Sequence, residues 1–166
     1  IDDEIKIGLI QHLLLKILKQ KRDTSNIELY NNFIKNIPLL TPKTNIDPVL
    51  EVSFNRINER FFATEIEKPN LIWGQQAFRK LASYNFHDDT ITVSSIFKNV
   101  RVEVLDYLMY HELLHKHHQF KYKNGRSRFH TKEFRDAEHL YPHHELIEKE
   151  INHIIRSQKR KTRWWW

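Results

Sequence analysis

Residues 110–115 read Tyr-His-Glu-Leu-Leu-His, with two histidines four positions apart and a glutamate directly after the first. On an α-helix, positions i and i+4 lie on one face, so the imidazoles of His111 and His115 can reach a single metal ion. Zinc accepts two such nitrogens and leaves room for a third protein ligand and a water molecule. Glu112 stands where its carboxylate can take a proton from that water. The pattern predicts a zinc site of the kind that metallopeptidases use.

The residues before this motif favour a helix that packs on a core. Apolar residues occur at positions 104, 105, 108 and 109, and again at 113 and 114. This is helical spacing, and it predicts a helix over residues 99–118 with one buried face. The chain has 11 histidines, so one alternative stays open. In that alternative, the motif is a core helix whose histidines face solvent or meet a carboxylate.

Length and composition set the outer limits of the interpretation. The chain has 166 residues, of which 40% are hydrophobic and 29% charged, which is typical of one soluble globular domain. It has no cysteine, so any metal must be bound by histidine and carboxylate. The net charge of +6 favours acidic partners such as nucleic acid, although solvated lysines explain it equally well. The most apolar stretch, residues 5–18, is charged and too short to span a membrane, and we expect a cytoplasmic protein.

Hydrophobic periodicity and breaker residues predict an α+β fold. Predicted strands are residues 71–73, a loosely alternating stretch at 78–86, and 90–93. A small sheet should therefore pack against the motif helix. The predicted helices cover residues 1–21, 27–37 (ended by Pro38), 48–62 (capped by Asp47), 99–118, a short piece from Thr131, and 143–160. In residues 1–21, apolar positions 5, 9, 10, 13, 14, 17 and 18 share one side.

With its flanking residues included, the motif region resembles the SprT-like (Spartan-type) zinc metallopeptidases over about residues 50–142. Residues 54–62 (FNRINERFF) resemble the opening helix of that family, and residues 71–73 with 89–94 (DTITVS) resemble its short strands. His111-Glu112-Leu113-Leu114-His115 followed by His130-Thr131-Lys132-Glu133-Phe134 resembles its two metal-site blocks. The family usually has glycine where this chain has Thr131, and no cysteine ribbon follows. The resemblance implies a zincin-like metallopeptidase fold, a Zn2+ cofactor and a protein or peptide substrate.

The resemblance also divides the chain and suggests the third ligand. It implies an N-terminal helical extension at residues 1–46, a metallopeptidase domain at 47–142, and a C-terminal helix and tail at 143–166. It points to His130, which lies at a loop-to-helix junction, as the third zinc ligand beside His111 and His115. Glu133 and Glu138 remain rival ligands, since glutamate from the following helix also binds zinc. The other nearby histidines, His117, His118, His139, His143 and His144, are interpreted as surface residues.

Substrate and partner sites are predicted more weakly. Trp73, on a predicted strand, is a candidate substrate-binding residue, but a Trp packed in the core between sheet and helix is the slightly favoured interpretation. Spartan-type enzymes cleave proteins crosslinked to DNA, so the resemblance implies DNA as a partner. Basic residues interleaved with rings suit single-stranded nucleic acid. They are Lys121, Lys123, Arg126 and Arg128 beside Tyr122 and Phe129, and the tail ends in Trp164, Trp165 and Trp166.

Two other functions fit the same residues. One is a zinc-stabilised module that binds nucleic acid or protein and has no turnover. The other is a minimal peptidase whose third zinc ligand is a glutamate. Zinc content in the purified His130 and Glu133 variants would separate the second alternative from a three-histidine site.

Overall fold

The computed structural model describes residues 2–119, 121–123 and 126–163, and the prediction of an α+β fold is confirmed. The described residues form six helices and five strands. The helices are α1 (Asp3–Ile17), α2 (Ser25–Leu40), α3 (Pro48–Phe62), α4 (Val102–His118), α5 (Lys132–Glu138) and α6 (His144–Arg163). The strands are β1 (Asn70–Gly74), β2 (Ala82–Asn85), β3 (Thr90–Ser94), β4 (Lys121–Lys123) and β5 (Arg126–Arg128). None of these helices is long and apolar enough to cross a bilayer.

A three-stranded sheet supports the motif helix, as the sequence predicted. Its strand order is β1-β3-β2, with β1 parallel and β2 antiparallel to β3. Leu71 on β1 pairs with Ile91 on β3, and both side chains are fully buried. They join one apolar cluster with Ile57 of α3 and Met109 and Leu113 of α4. Helix α4 is therefore held between α3 and the sheet, and α5 and α6 pack on it as well.

Helix α3 begins and ends as its sequence dictates. The Asp47 carboxylate caps it by accepting the backbone N–H of Val49 at 2.9 Å, and Pro48 is the first helical residue. Past the last turn, Ala63 and Thr64 both have positive φ. The Asn58 side chain secures this reversal, because it bonds both the backbone N–H and the carbonyl of Ile66.

Several predicted boundaries were wrong. Helix α1 ends at Ile17 and not at 21, and the alternating stretch 78–86 forms a strand only over 82–85. Helix α2 also continues past Pro38 to Leu40. A proline loses one helical hydrogen bond, to the carbonyl of residue 34, and this loss is small in the last turn. There, the Thr41 hydroxyl donates to the Ile37 carbonyl and Lys43 Nζ donates to the Pro38 carbonyl.

Helices α1 and α2 pack against each other at the N-terminus. They meet closely at Gly8, where a Cβ atom would lie 1.9 Å from the Asn26 carbonyl oxygen. On the same face of α1, the His12 ring contacts Tyr30 with 5.9 Å between ring centres. Helix α2 in turn packs on the sheet side of the molecule through Ile34, which contacts Phe86. The pair is thus attached through α2, and the division of the chain at residue 46 stays a prediction.

Candidate metal centre

Helix α4 is buried on nearly every side along the part that carries the motif. The residues from Val104 to Tyr110, together with Glu112, Leu113 and Leu114, are all buried. Because the helix contacts α3, β2, α5 and α6, it needs apolar residues all round and not on one face. His111 and His115 are only partly buried, and their ring centres lie 4.9 Å apart. Of the two, His111 lines a cleft, together with Tyr107, Leu108 and Glu112 of the same helix.

His130 reaches the same point from the turn before α5. The Thr131 side chain caps that helix by accepting the backbone N–H of Phe134 at 3.3 Å, so threonine fills the position where glycine was expected. Ring centres of His130 lie 5.4 Å from His111 and 4.8 Å from His115. The buried Phe134 ring contacts all three imidazoles and forms the floor under them.

The three histidines form a group with metal-ligand geometry. One ring nitrogen from each of His111, His115 and His130 lies within 4.8 Å of the others, and no other such group of three occurs among the described residues. Glu133 and Glu138 contribute no atom to it. His139 and His144 stack on each other, with 5.0 Å between ring centres, outside the group. The structure thus brings together the three residues that the sequence singled out as metal ligands.

Glu138 is hydrogen-bonded to His111 and is not a member of the group of three histidines. Its Oε1 atom lies 2.6 Å from Nδ1 of His111, which leaves the other ring nitrogen of His111 free to face the group. Burial alone disfavours the charged imidazole, but the hydrogen bond to Glu138 and the nearby Glu112 raise the pKa of His111. The same hydrogen bond lowers the pKa of Glu138. A carboxylate on the outer nitrogen fixes the ring orientation of a ligating histidine.

The other two histidines are held as neutral bases. Burial, followed by repulsion from His111 and His130, lowers the pKa of His115 to about 3. Burial and His111 also lower the pKa of His130. The Nδ1 atom of His115 is buried and has no hydrogen-bond partner. Neutral imidazoles that converge on one point, with a ring nitrogen left unsatisfied, suit a cation better than protons.

Glu112 is the second unsatisfied group of the site. Its side chain is 4% exposed, and its Oε2 atom is buried without a hydrogen-bond partner. Burial raises the pKa of this carboxyl to about 7, although His111, the backbone N–H of Tyr84 and Lys80 oppose the shift. A carboxylate with a pKa near neutrality and a free oxygen can exchange a proton under ordinary conditions.

A cleft of about 570 Å³ opens beside His111 and Glu112. One wall is the segment that leads into β2, including Leu81 and Ala82, and the other is α6 with Ile151 and Asn152. Among the described residues, strand β2 pairs only with β3 and so lies at an edge of the sheet, where the Glu112 carboxylate accepts the backbone N–H of Tyr84. This edge was not recognised in the sequence, because nothing in four residues distinguishes an edge strand from a central one.

The structure does not bring Trp73 to the histidine group. Trp73 lies on β1, and β3 separates that strand from β2 and its cleft. Its half-buried ring packs on the core, and Lys98 Nζ lies 5.9 Å from the ring centre. The interpretation of Trp73 as a packed residue therefore fits its surroundings, and the strand that lines the cleft is β2.

The predicted nucleic-acid-binding residues lie on the β4–β5 hairpin. Lys121 pairs with Arg128 and Lys123 with Arg126, so both pairs lie on the hairpin that leads to His130. Arg128 is exposed. Residues 124–125 and the Trp164–Trp166 tail lie outside the described residues. Among the predicted surface histidines, His117 is exposed and its ring contacts Phe62.

A second buried cluster lies beside the metal-site helix and was missed in the sequence. The Asp89 carboxylate is fully buried and accepts both Lys43 and Lys116, with Lys116 Nζ at 2.7 Å from each oxygen. The Tyr84 hydroxyl donates to the same carboxylate at 2.7 Å. Burial lowers the pKa of Lys116, while the hydrogen bond to Asp89 raises it. Because Lys116 directly follows His115, this cluster anchors the C-terminal end of α4 to the sheet.

No protein-family model and no curated protein sequence matches this chain. Among solved structures, it is similar to the abylysin metallopeptidase zymogen of Pyrococcus abyssi, with 22% identity over 61% of this chain and 90% of that one (TM-score 0.46). It is similar to the same degree to the jannalysin metallopeptidase zymogen of Methanocaldococcus jannaschii, with 22% identity over 66% of this chain and 95% of that one (TM-score 0.46). At this level, the likeness says nothing of a shared substrate or activity.

Proposed function

We propose that this chain is a zinc-dependent metallopeptidase that hydrolyses peptide bonds in proteins or peptides. One observation carries the proposal. The ring nitrogens of His111, His115 and His130 converge within 4.8 Å beside a buried Glu112 that has a free carboxylate oxygen. A purely structural metal site needs a fourth ligand and no base, whereas a hydrolytic site needs three ligands, an open position and a base.

The donor set suits zinc. Three imidazoles form one of the ligand sets that catalytic zinc sites use, and the chain has no cysteine to make a closed structural site. The contact of Glu138 with Nδ1 of His111 is the outer-shell arrangement that zinc histidines usually have. Zinc bound there supplies Lewis acidity, which polarises a peptide carbonyl and acidifies water.

Glu112 moves the proton in this proposal. Its carboxylate accepts a proton from the water molecule as the water oxygen attacks the peptide carbonyl carbon. It then gives that proton to the nitrogen of the departing amine as the C–N bond breaks. The products are a carboxylic acid and an amine, and Glu112 returns to its starting state. The pKa of about 7 suits both halves of this cycle near neutral pH.

Substrate would lie along β2. Its free edge offers backbone N–H and carbonyl groups to an extended peptide, which can add to the sheet as a further strand. The cleft between this strand and α6 has room for a substrate side chain, and it borders both His111 and Glu112. A peptide bound in this way has its backbone fixed beside the proton acceptor.

DNA-associated proteins are the proposed substrate class, in keeping with the SprT-like resemblance. Two features support it: the net charge of +6, and the four basic residues of the β4–β5 hairpin that leads to His130. Single-stranded DNA should then raise the cleavage rate of a basic DNA-bound protein but not that of a short peptide. Equal rates with and without DNA at low salt would remove DNA from the proposal.

Zinc stoichiometry in purified variants is the test of the metal centre. We expect one zinc per chain in the wild type and in Glu133→Ala, and little zinc in His130→Ala. His139→Ala is the matched control, because His139 lies outside the group of three. Loss of zinc from Glu133→Ala with retention in His130→Ala would mean a glutamate-liganded site instead.

A zinc-stabilised binding module remains the alternative when zinc binds but no peptide is cut. The two functions differ in what Glu112→Gln does. In a peptidase, this change abolishes cleavage and leaves zinc bound, whereas in a binding module it has no functional effect. Wild type that holds zinc yet cleaves no protein or peptide substrate, with or without DNA, would favour the module.

A further inference from the structure

The outer face of α1 is an apolar surface that the described part of the chain leaves open to solvent. Seven large apolar side chains of this helix and its C-cap are between 38% and 74% exposed. They are Ile7, Leu9, Ile10, Leu13, Leu14, Ile17 and Leu18. Single exposed apolar residues need no explanation, but a contiguous group of this size marks an interaction surface.

Four of these residues have the spacing of a helix-pairing seam. Ile7, Ile10, Leu14 and Ile17 are separated by three, four and three positions, so they form one straight stripe along α1. This is the a/d spacing by which one helix packs on another. Leu13 and Leu18 flank the stripe and widen it.

The opposite face of α1 is already occupied. Gly8 and His12 meet α2 there, so the inner and outer faces of α1 lie on opposite sides of the helix. The sequence analysis grouped Leu9, Leu13 and Ile17 with Ile5 on one side, but the structure points the first three outward. Helix α1 is therefore apolar on both faces, and only one face has a partner within the described residues.

The charges at the two ends of α1 are opposite. Asp2, Asp3 and Glu4 precede or begin the helix, and Lys16, Lys19, Lys21 and Arg22 end or follow it. Asp3 also bonds Lys6 on its own helix, but that pair is exposed. If two such helices run antiparallel, the acidic end of each lies beside the basic end of the other. If they run parallel, like charges meet at both ends.

We propose that the outer face of α1 is the contact surface between two copies of this chain, which pair antiparallel about a two-fold axis. The stripe Ile7, Ile10, Leu14 and Ile17 of one copy packs against the same stripe of the other. A two-fold interface places the same patch on both subunits, so a self-complementary charge pattern is what it requires. The helix carries both the apolar seam and that charge pattern.

Molar mass by light scattering during size exclusion is the first test. The complete wild-type chain should have twice the mass of one chain, and the double change Ile10→Lys, Leu14→Lys should give a single chain. Leu146→Lys is the matched control, because Leu146 is 61% exposed on α6 and should leave the mass at two chains. Circular dichroism should show equal helix content in all three, because every changed side chain faces solvent in the single chain.

Charge exchange tests the antiparallel arrangement. The variant Asp3→Lys, Glu4→Lys has two basic ends, and the variant Lys16→Glu, Lys21→Glu, Arg22→Glu has two acidic ends. Each alone should dimerise at least ~10-fold more weakly than wild type, because like charges then face each other. Mixed in equal amounts, the two should form a heterodimer with wild-type affinity.

Three results would overturn the proposal. The first is a wild-type chain that stays single at up to ~100 µM, where even a weak two-fold contact assembles. The second is a two-chain mass that survives Ile10→Lys, Leu14→Lys, which would place the contact elsewhere. The third is a single chain that sediments with anionic phosphatidylserine vesicles through the same residues, which would assign the face to a lipid surface.

Discussion

Glu112 and Asp89 are both buried carboxylates close to helix α4, and their surroundings differ sharply. Asp89 accepts hydrogen bonds from two lysines and a tyrosine, so both of its oxygens are paired. Glu112 is nearly as buried but keeps one oxygen without a partner. Burial of an unpaired carboxylate is costly, and a protein retains it where the group has a chemical task. Under the proposed function, Asp89 supports the structure of the site and Glu112 takes part in its chemistry.

The largest effect is expected for Glu112→Gln. The amide keeps the size of the side chain but cannot accept and return a proton, so we expect peptide cleavage to fall by at least about 1,000-fold. Zinc content should stay at the wild-type level, because Glu112 is not one of the three grouped histidines. Rates from a quenched fluorescent peptide, with zinc measured on the same samples, check this. Activity within tenfold of wild type would reject Glu112 as the proton acceptor.

Asp89→Asn should act on stability instead. It leaves Lys43 and Lys116 buried without a counter-charge, and removal of one partner from a buried ion pair costs about 3–5 kcal/mol. Urea denaturation of the zinc-free protein measures the loss. Glu51→Gln is the matched control, since it breaks the partly exposed pair with Lys68 and should cost at most about 1 kcal/mol. Equal losses of stability in the two variants would contradict the role of Asp89 in anchoring α4 to the sheet.

Glu112 should also make the stability of the zinc-free protein depend on pH. The pKa of Glu112 is about 7 in the folded chain and near 4.5 when unfolded, so the folded state holds the proton more tightly. The contribution of this group is complete below pH 4.5 and is lost as pH rises through 7, at a cost of roughly 3 kcal/mol. Zinc-free wild type should therefore lose stability over that window relative to Glu112→Gln. Parallel stability curves for the two proteins would show that burial does not raise the pKa.

The smallest expected effect belongs to Glu138. Glu138→Gln weakens its contact with His111, and loss of such an outer partner lowers metal affinity by about 10–100-fold. Competition with a fluorescent zinc chelator measures the change. Glu133→Gln on the same helix should leave the affinity unchanged. If Glu133→Gln had the larger effect, Glu133 would be the carboxylate that serves the metal.

The parts of the site that share one local pattern could be predicted from the sequence. His111, Glu112 and His115 follow from helical spacing, and Thr131 from capping chemistry. His130 needed the resemblance to a family, because its approach to the other two depends on how the chain turns between α4 and α5. Asp89 and Glu138 act through residues 27 positions away, at Lys116 and His111 respectively. No periodicity encodes such a contact, so neither role could be derived.

In the fold too, features set by local sequence could be predicted and features set by distant contacts could not. Asp47 and Pro48 fix the start of α3, and the strands around Leu71 and Ile91 were found from their β-branched and apolar residues. The end of α2 was wrong, because contacts made by Thr41 and Lys43 outweigh the local effect of Pro38. The sequence could not predict which face of α1 is exposed, because a helix with apolar residues on both sides does not indicate which side is buried.

The position of His130 has a consequence for the hairpin that precedes it. His115 ends the motif on α4 and His130 lies in the turn before α5, and strands β4 and β5 lie between them along the chain. A metal held by both residues is a cross-link that closes this loop, and closure removes conformational freedom from the unfolded chain. Zinc would then stabilise the fold of the basic hairpin as well as supply a Lewis acid. Its removal by a chelator should make the Lys and Arg residues of β4 and β5 the first sites that trypsin cuts.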